Sequence, residues 1–279
     1  MDENKTKNMK IALIQQHATK NKQENIERGI SAFKEAAAKD TKLVCFAELA
    51  FEPFFPQNTA TGGQTHLAEE IPGPITGIFQ QLAKEYGIVT ILNLFEKEGD
   101  FTYDTSPVID ADGSYLGKTR MVHIPDYENF HERCYYTPGN LGAGVFETTV
   151  GKVGIAICYD RHYPEYMRSL AVQGAELVVI PQAGAFGEWT DGLYEAEMRV
   201  AAFQNGYFTA LCNQVGKEEK LDFSGESFVC DPDGKLLASA GLGNDEILIC
   251  DIDLSKVNDS HARKLFLQDR RPELYNEWI

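Results

Sequence analysis

Short apolar runs rich in β-branched residues alternate along this chain with longer stretches whose apolar positions recur every three or four residues. The first kind predicts buried strands and the second amphipathic helices. Lys10 to Gln15 reads as a strand. Asn25 to Lys39 carries Ile26, Ile30, Phe33, Ala36 and Ala37 at helical spacing. Leu43 to Ala47 is a second buried strand, Ile75 to Tyr86 a helix stopped by Gly87, and Ile88 to Phe95 a strand. Tyr103 to Ile109 and Tyr115 to Val122 flank the turn Asp110-Ala-Asp-Gly113 as a hairpin. Val153 to Ile157 leads into a helix opened by Pro164. Leu177 to Ile180 and Tyr207 to Cys212 read as strands around a helix from Leu193 to Gln204. Glu226 to Cys230 and Leu236 to Ala238 flank a second turn, Asp231-Pro-Asp-Gly234. Glu246 to Ile252 is a strand and Leu254 to Phe266 a helix.

Strand and helix alternate, which predicts an α/β protein of stacked layers. Each half repeats strand, helix, strand and an Asp-x-Asp-Gly hairpin. Two sheets packed face to face, with helices outside, would accommodate that echo. No Pro-, Gly- or Ser-rich linker divides the chain, so a single domain is expected from residue 9 to 279. Residues 1–8 are polar and read as a disordered lead-in without the apolar centre of a signal peptide.

Composition narrows the function. The 279 residues are 43% hydrophobic and hold 26 basic against 42 acidic side chains, a formal net charge of -16. Such a chain is a poor partner for nucleic acid phosphates or for an anionic membrane. No apolar run has the length of a membrane-spanning helix. Cys45, Cys134, Cys158, Cys212, Cys230 and Cys250 form no C-x-x-C pair, which argues against zinc and for reduced thiols in a cytoplasmic protein.

Chemistry concentrates at the ends of the buried runs. Cys158 ends the strand Val153 to Ile157 and faces a helix start, where a thiol is lowered in pKa and exposed on a rigid support. Taken alone, such a cysteine is more often a small buried apolar residue. Glu48 directly follows Leu43 to Ala47. Lys118 lies just after the first hairpin turn, where a lone lysine reads as an edge residue that discourages sheet aggregation. Glu132 sits in a loop dense in aromatics. Together they are chemically complementary. A thiol needs a base, the attacked carbonyl oxygen needs a cation, and a second carboxylate can hold that cation and orient the leaving nitrogen.

The segments Phe46-Ala-Glu-Leu-Ala50, Gly117-Lys-Thr-Arg-Met-Val-His-Ile-Pro125, Glu132 before Tyr135-Tyr-Thr-Pro-Gly139, and Ile157-Cys-Tyr-Asp-Arg-His-Tyr-Pro-Glu165 resemble the nitrilase superfamily of carbon–nitrogen hydrolases. Arg199 with Asn205 and the tail Asp269 to Tyr275 extend the resemblance over nearly the whole chain. It implies a four-layer αββα sandwich, at least dimeric, without metal or organic cofactor. It assigns Glu48 as general base, Lys118 as the oxyanion-stabilising lysine, Cys158 as nucleophile and Glu132 as the second glutamate. Ala47 stands where members commonly have proline.

Tyr159, Arg161 and His162, just after the nucleophile, are the candidate substrate-binding residues. Their order resembles β-ureidopropionases and, in part, N-carbamoyl amino acid amidohydrolases. Phe223 to Phe228 and the tail resemble N-carbamoylputrescine amidases. The implied substrate is a small ureide, with a simple carboxamide as the alternative. Arg161 would hold a substrate carboxylate or pair with Asp160 or Glu165. His162 reads as a packing residue. Loop aromatics, among them Phe51, Phe54, Phe55, Tyr127, Phe130, Tyr135, Tyr136, Phe186 and Trp189, divide between core and pocket wall. A silent binding module and an amide-dependent acyltransferase are the rival functions.

Overall fold

The computed structural model describes residues 8–62, 64–275 and 277. Residues 1–7 of the expected lead-in lie outside the described residues, and Asn8 already opens the first strand.

The strands are β1 (Asn8–Gln15), β2 (Thr41–Phe46), β3 (Val89–Ile91), β4 (Leu94–Glu98), β5 (Phe101–Ile109), β6 (Tyr115–Arg120), β7 (Val145–Thr148), β8 (Gly151–Ile155), β9 (Leu177–Gln182), β10 (Phe208–Asn213), β11 (Val215–Lys217), β12 (Asp222–Ser224), β13 (Phe228–Cys230), β14 (Leu236–Ser239) and β15 (Glu246–Asp253). The longer helices are α1 (Lys22–Ala37), α2 (Pro74–Tyr86), α3 (Pro164–Val172) and α4 (Leu193–Asn205). One sheet of seven strands runs β15-β1-β2-β3-β5-β4, with β6 also paired to β5; one of six runs β14-β13-β10-β9-β8-β7. The parallel pairs β1–β2–β3 and β8–β9–β10 sit at the middle of each sheet, as crossovers through helices require.

The two sheets bury a shared apolar layer between their inner faces. Ile11, Leu13, Cys45 and Val108 of the first sheet meet Val153, Ile155, Val179 and Ala210 of the second. On the outer face of the first sheet, Phe33 of α1 and Phe79 of α2 pack with Val44 and Phe46. On the outer face of the second, Leu170 of α3 and Met198 of α4 pack with Val178 and Leu211. The order is α, β, β, α, the four-layer sandwich expected. Among the described residues no helix is long and apolar enough to cross a membrane, and the six cysteines are free.

Three differences from the sequence reading bear on the site. The run Ile88 to Phe95 is two strands, because Leu92 and Asn93 break it. Asn93 is buried and uses its amide to hold other segments: its Oδ1 accepts the Leu49 N–H at 2.9 Å, and its Nδ2 donates to Asp104 at 2.5 Å and to Ser106 at 3.2 Å. The run Leu254 to Phe266 is a short helix, Lys256–Asp259, and a wide turn, Ala262–Phe266. The pattern does not reveal β7, β11 and β12. They are only three or four residues long, too short to show a period.

Candidate active site

Cys158 leaves the end of β8 through Ala156 and Ile157 and starts a 3-10 turn, Cys158–His162, before Pro164 opens α3. Its φ is +42°, a left-handed conformation that costs a residue with a Cβ about 1–2 kcal/mol. Two contacts lock that turn. Arg161 Nη1 donates to the Cys158 carbonyl at 2.8 Å and to Gln182 Oε1 at 2.7 Å. The Asp160 carboxylate receives the Val122 and His123 N–H groups at 3.2 and 3.0 Å, and His123 Nδ1 lies 2.7 Å from it. The first backbone bond inside the turn is Asp160 N–H to the Ile157 carbonyl, 2.9 Å. The preceding N–H, that of Tyr159, belongs to the orphan donors of a helix start.

Glu48 comes from the other sheet, two residues past β2. Its N–H reaches the Gln182 carbonyl at 3.4 Å and its carbonyl receives Gln214 Nε2 at 2.5 Å, so both its backbone groups are tied to the second sheet. Leu49, at φ +47°, then turns the chain away. The Glu48 carboxyl faces the Cys158 thiol and the carboxyl of Asp104. Glu132, in the 3-10 turn Glu132–Cys134, completes the group.

Glu48, Asp104 and Glu132 are buried, with carboxylate oxygens within 4.8 Å of one another, and they are the residues that could hold a metal ion. Among the described residues neither oxygen of Glu132 nor the hydroxyl of Tyr136 has a hydrogen-bond partner. Burial raises the pKa of all three acids. For Glu48 the charges of Asp104 and Glu132 add to it; for Glu132 those of Asp104, Glu188 and Asp160 do. Asp104 is pushed up to about 6 by burial, against the hydrogen bonds from Glu48 and Asn93. The Cys158 thiol is pushed up as well, by burial and then by Glu48 and Glu132, with Arg161 opposing. The lowering expected from the helix start is outweighed by burial and the neighbouring acids.

Lys118 is the correction. It lies on the opposite face of the first sheet from this group. In β5–β6 pairing, Lys118 stands opposite Pro107 and Arg120 opposite Thr105, so their side chains share the outer face; β4 brings Glu96 to it, opposite Tyr103. There Lys118 Nζ is ion-paired with Glu96, lies 3.6 Å from Glu98 and donates to the Ile71 carbonyl at 3.3 Å. Arg120 binds the same Glu96 at 2.5 and 2.9 Å. The inner-facing position at this strand end is Met121. Its N–H bonds the Asp104 carbonyl at 2.9 Å, and its side chain is buried in the core that holds Cys158. No lysine therefore reaches the nucleophile from β6, and Glu132 has no lysine to hold.

Tyr159, Arg161 and His162 surround the back of the nucleophile. Arg161 pairs with neither Asp160 nor Glu165. Its Nε lies 3.4 Å from Glu197 of α4, its guanidinium sits over the Tyr194 ring, and its Nη2 is buried without a partner. His162 Nδ1 lies 2.6 Å from the same Glu197, which makes it a packing and hydrogen-bonding residue, in line with its sequence context. Tyr159 is half-buried, with its ring 6.3 Å from that of Tyr127. A cleft of about 420 Å³, lined by Tyr127, Phe130, Ala185 and Glu188, adjoins the group; Glu188 accepts from Tyr127 at 2.6 Å and from Tyr194 at 2.5 Å. Phe51 packs in the outer layer against Phe79, away from the site, whereas Phe186 is exposed at the rim of that cleft.

Sequence reasoning missed Asp104, Asn93 and Met121. Asp104 opens the polar stretch Asp104-Thr-Ser106 inside Tyr103 to Ile109, so the sequence reads it as a solvent-facing strand residue. Here both faces of that strand are buried.

The carbon–nitrogen hydrolase family model matches residues 10–262. The N-carbamoylputrescine amidase of Solanum lycopersicum is 33% identical over 95% of this chain and 93% of its own. A carbon-nitrogen hydrolase of Helicobacter pylori G27 superposes with a TM-score of 0.90 and 32% identity, covering 97% of this chain and 98% of that one. An amidase of Nesterenkonia sp. AN1, in a structure showing covalent addition of the acetamide moiety of fluoroacetamide at its active-site cysteine, is 26% identical. It has a TM-score of 0.81, with 97% of each chain covered.

Proposed function

The chain belongs to the carbon–nitrogen hydrolase family and is an enzyme acting on amides or ureides, and on that premise we propose that it hydrolyses an N-carbamoyl compound through a covalent intermediate on Cys158. The observation that carries this reading is the pairing of a buried thiol, held at φ +42° on a locked turn, with the buried carboxyl of Glu48 that faces it. The covalent adduct on the cysteine of the Nesterenkonia amidase supports it, and the S. lycopersicum relative favours a ureide.

Glu48 takes the proton of Cys158 as sulfur bonds to the ureido carbon. The proton then goes to the departing nitrogen as ammonia. Water, deprotonated by Glu48, releases a carbamate that decomposes to amine and carbon dioxide. The oxyanion needs donors, and Lys118 is not among them. The N–H of Tyr159 is one.

Ammonia release from N-carbamoylputrescine, N-carbamoyl-β-alanine, N-carbamoyl-D- and L-amino acids, glutaramate and simple amides tests the reading, with a Cys158→Ala variant beside the wild type. Ureide turnover that falls about 10⁴-fold in the variant is expected. Turnover of carboxamides alone would replace the ureide by an amide. Undiminished turnover by the variant would remove Cys158 from the mechanism.

Self-association, also proposed, has an available surface. Val172 of α3, Val200 and Phe203 of α4 and Phe266 are exposed on the outer layer beside one another. Sedimentation velocity would give the state.

A further inference from the structure

Three buried acids without a cation are a poor setting for making an oxyanion. Thiolate attack on a neutral carbonyl adds negative charge where Glu48, Asp104 and Glu132 already raise one another's pKa. The inner wall supplies Met121 where a cation would help, and Arg161, bound through Nη1 to the Cys158 carbonyl and Gln182, acts on the thiol and not on the three acids. A second observation points the same way. Tyr136 is buried, its hydroxyl has no partner, and its electrostatic neighbours are Asp104, Glu132 and Glu48. The site therefore gathers carboxylate oxygens with a neutral phenol beside them and no cation paired to them.

We propose that this site also accepts a planar cation, a guanidinium or amidinium group, as the electrophile attacked by Cys158. Such a group offers N–H donors in one plane, matched to carboxylates, and tolerates aromatic neighbours such as Tyr127 and Tyr136. A hard divalent ion would engage the same oxygens, but it would take Glu48 out of proton transfer. The proposal rests on Cys158 and Glu48 in the roles given above; it does not rest on the ureide.

The charges balance without an oxyanion. Glu48 takes the thiol proton, an S–C bond forms at the guanidinium carbon, and the cation becomes a neutral tetrahedral adduct. Glu48 returns the proton to one nitrogen, the C–N bond breaks, and ammonia leaves a cationic thiouronium on Cys158. Water adds with Glu48 taking its proton. The C–S bond then breaks, the thiol is regenerated, and the ureide is released. The surplus proton leaves with ammonia as ammonium. Guanidinium and water become ureide and ammonium, with no oxidant, reductant or other reactant. The acids hold the cation in the ground state, and the adduct needs no counter-charge.

The test uses isosteric probes: n-propylguanidine against n-propylurea, and acetamidine against acetamide. Wild-type enzyme is expected to release ammonia from propylguanidine, with propylurea formed in equal amount, at a kcat/KM at least about tenfold above that for propylurea. Met121→Lys, which puts an ammonium among the acids, is expected to invert the preference. In Cys158→Ala, turnover is lost, yet calorimetry in buffers of different ionisation enthalpy is expected to show propylguanidine binding with release of on the order of one proton. Faster turnover of propylurea than of propylguanidine overturns the proposal and leaves Cys158 as nucleophile. Equal guanidine turnover by Cys158→Ala overturns the covalent reading as well. If neither probe turns over, binding decides: no propylguanidine uptake by Cys158→Ala at millimolar concentration overturns the proposal.

Discussion

On the outer face of β4, β5 and β6, Glu96 is buried among Lys118, Arg120 and the Thr105 hydroxyl, and its pKa is lowered because these donors outweigh its burial. On the inner face of the same strands, Asp104 is buried beside Glu48 and Glu132, with Asn93 as its donor, and its pKa is raised. Both sites hide carboxylates from water. One is neutralised by the chain itself, and the other is left short of positive charge. A buried ion cluster that closes on itself is architecture. One that does not close is stable only if protons, or a ligand, complete it.

The same mutation, applied on either side, should act with opposite sign. Glu96→Gln strands Lys118 and Arg120 and should lower stability by about 3 kcal/mol in urea titrations. Asp104→Asn removes one of three crowded acids while keeping its shape, and should raise stability by about 1–2 kcal/mol in the same titrations. Equal signs would erase the distinction. Lys118→Ala leaves Glu96 with Arg120 and should lower stability by about 1 kcal/mol, with kcat/KM for the best substrate unchanged within about twofold. A large loss of kcat at constant stability would return Lys118 to the chemistry.

The pH dependence separates the faces further. Asp104 has its folded pKa raised from 3.8 to about 6, so its contribution is fully present below 3.8 and lost as pH rises through about 6. Glu96 has a lowered folded pKa, so its contribution is present above 4.5 and lost as pH falls below that. Between pH 7 and 5, melting temperature should therefore rise on acidification, and rise less in Asp104→Asn. A flat profile in the wild type would mean that the inner acids are already satisfied.

Much of the site is legible in the amino-acid sequence. Cys158 and Glu48 end strongly apolar runs, and a reactive or charged group in that position has few places to go but the mouth of a buried strand; Glu132, in a loop, comes only from the resemblance. The layers follow from alternation of periods. Lys118 is misplaced by the resemblance, which gives it the oxyanion, whereas the strand pattern alone reads it as an edge lysine. Lys118, Arg120 and Met121 are separated by steps of two and one, and only the pairing of β6 with β5 assigns them to sides. Asp104 and Asn93 escape for a related reason. Their importance lies in whom they meet across the sheet, and no local pattern records that.

The left-handed backbone at Cys158 has an evolutionary consequence. At φ +42° the peptide chain prefers glycine, so random substitution at this position is biased by folding toward a residue without a thiol. A lineage that kept this architecture only to bind would drift along that slope and gain stability by doing so. Folding and the proposed chemistry therefore pull this position in opposite directions: glycine would relieve the backbone and remove the thiol.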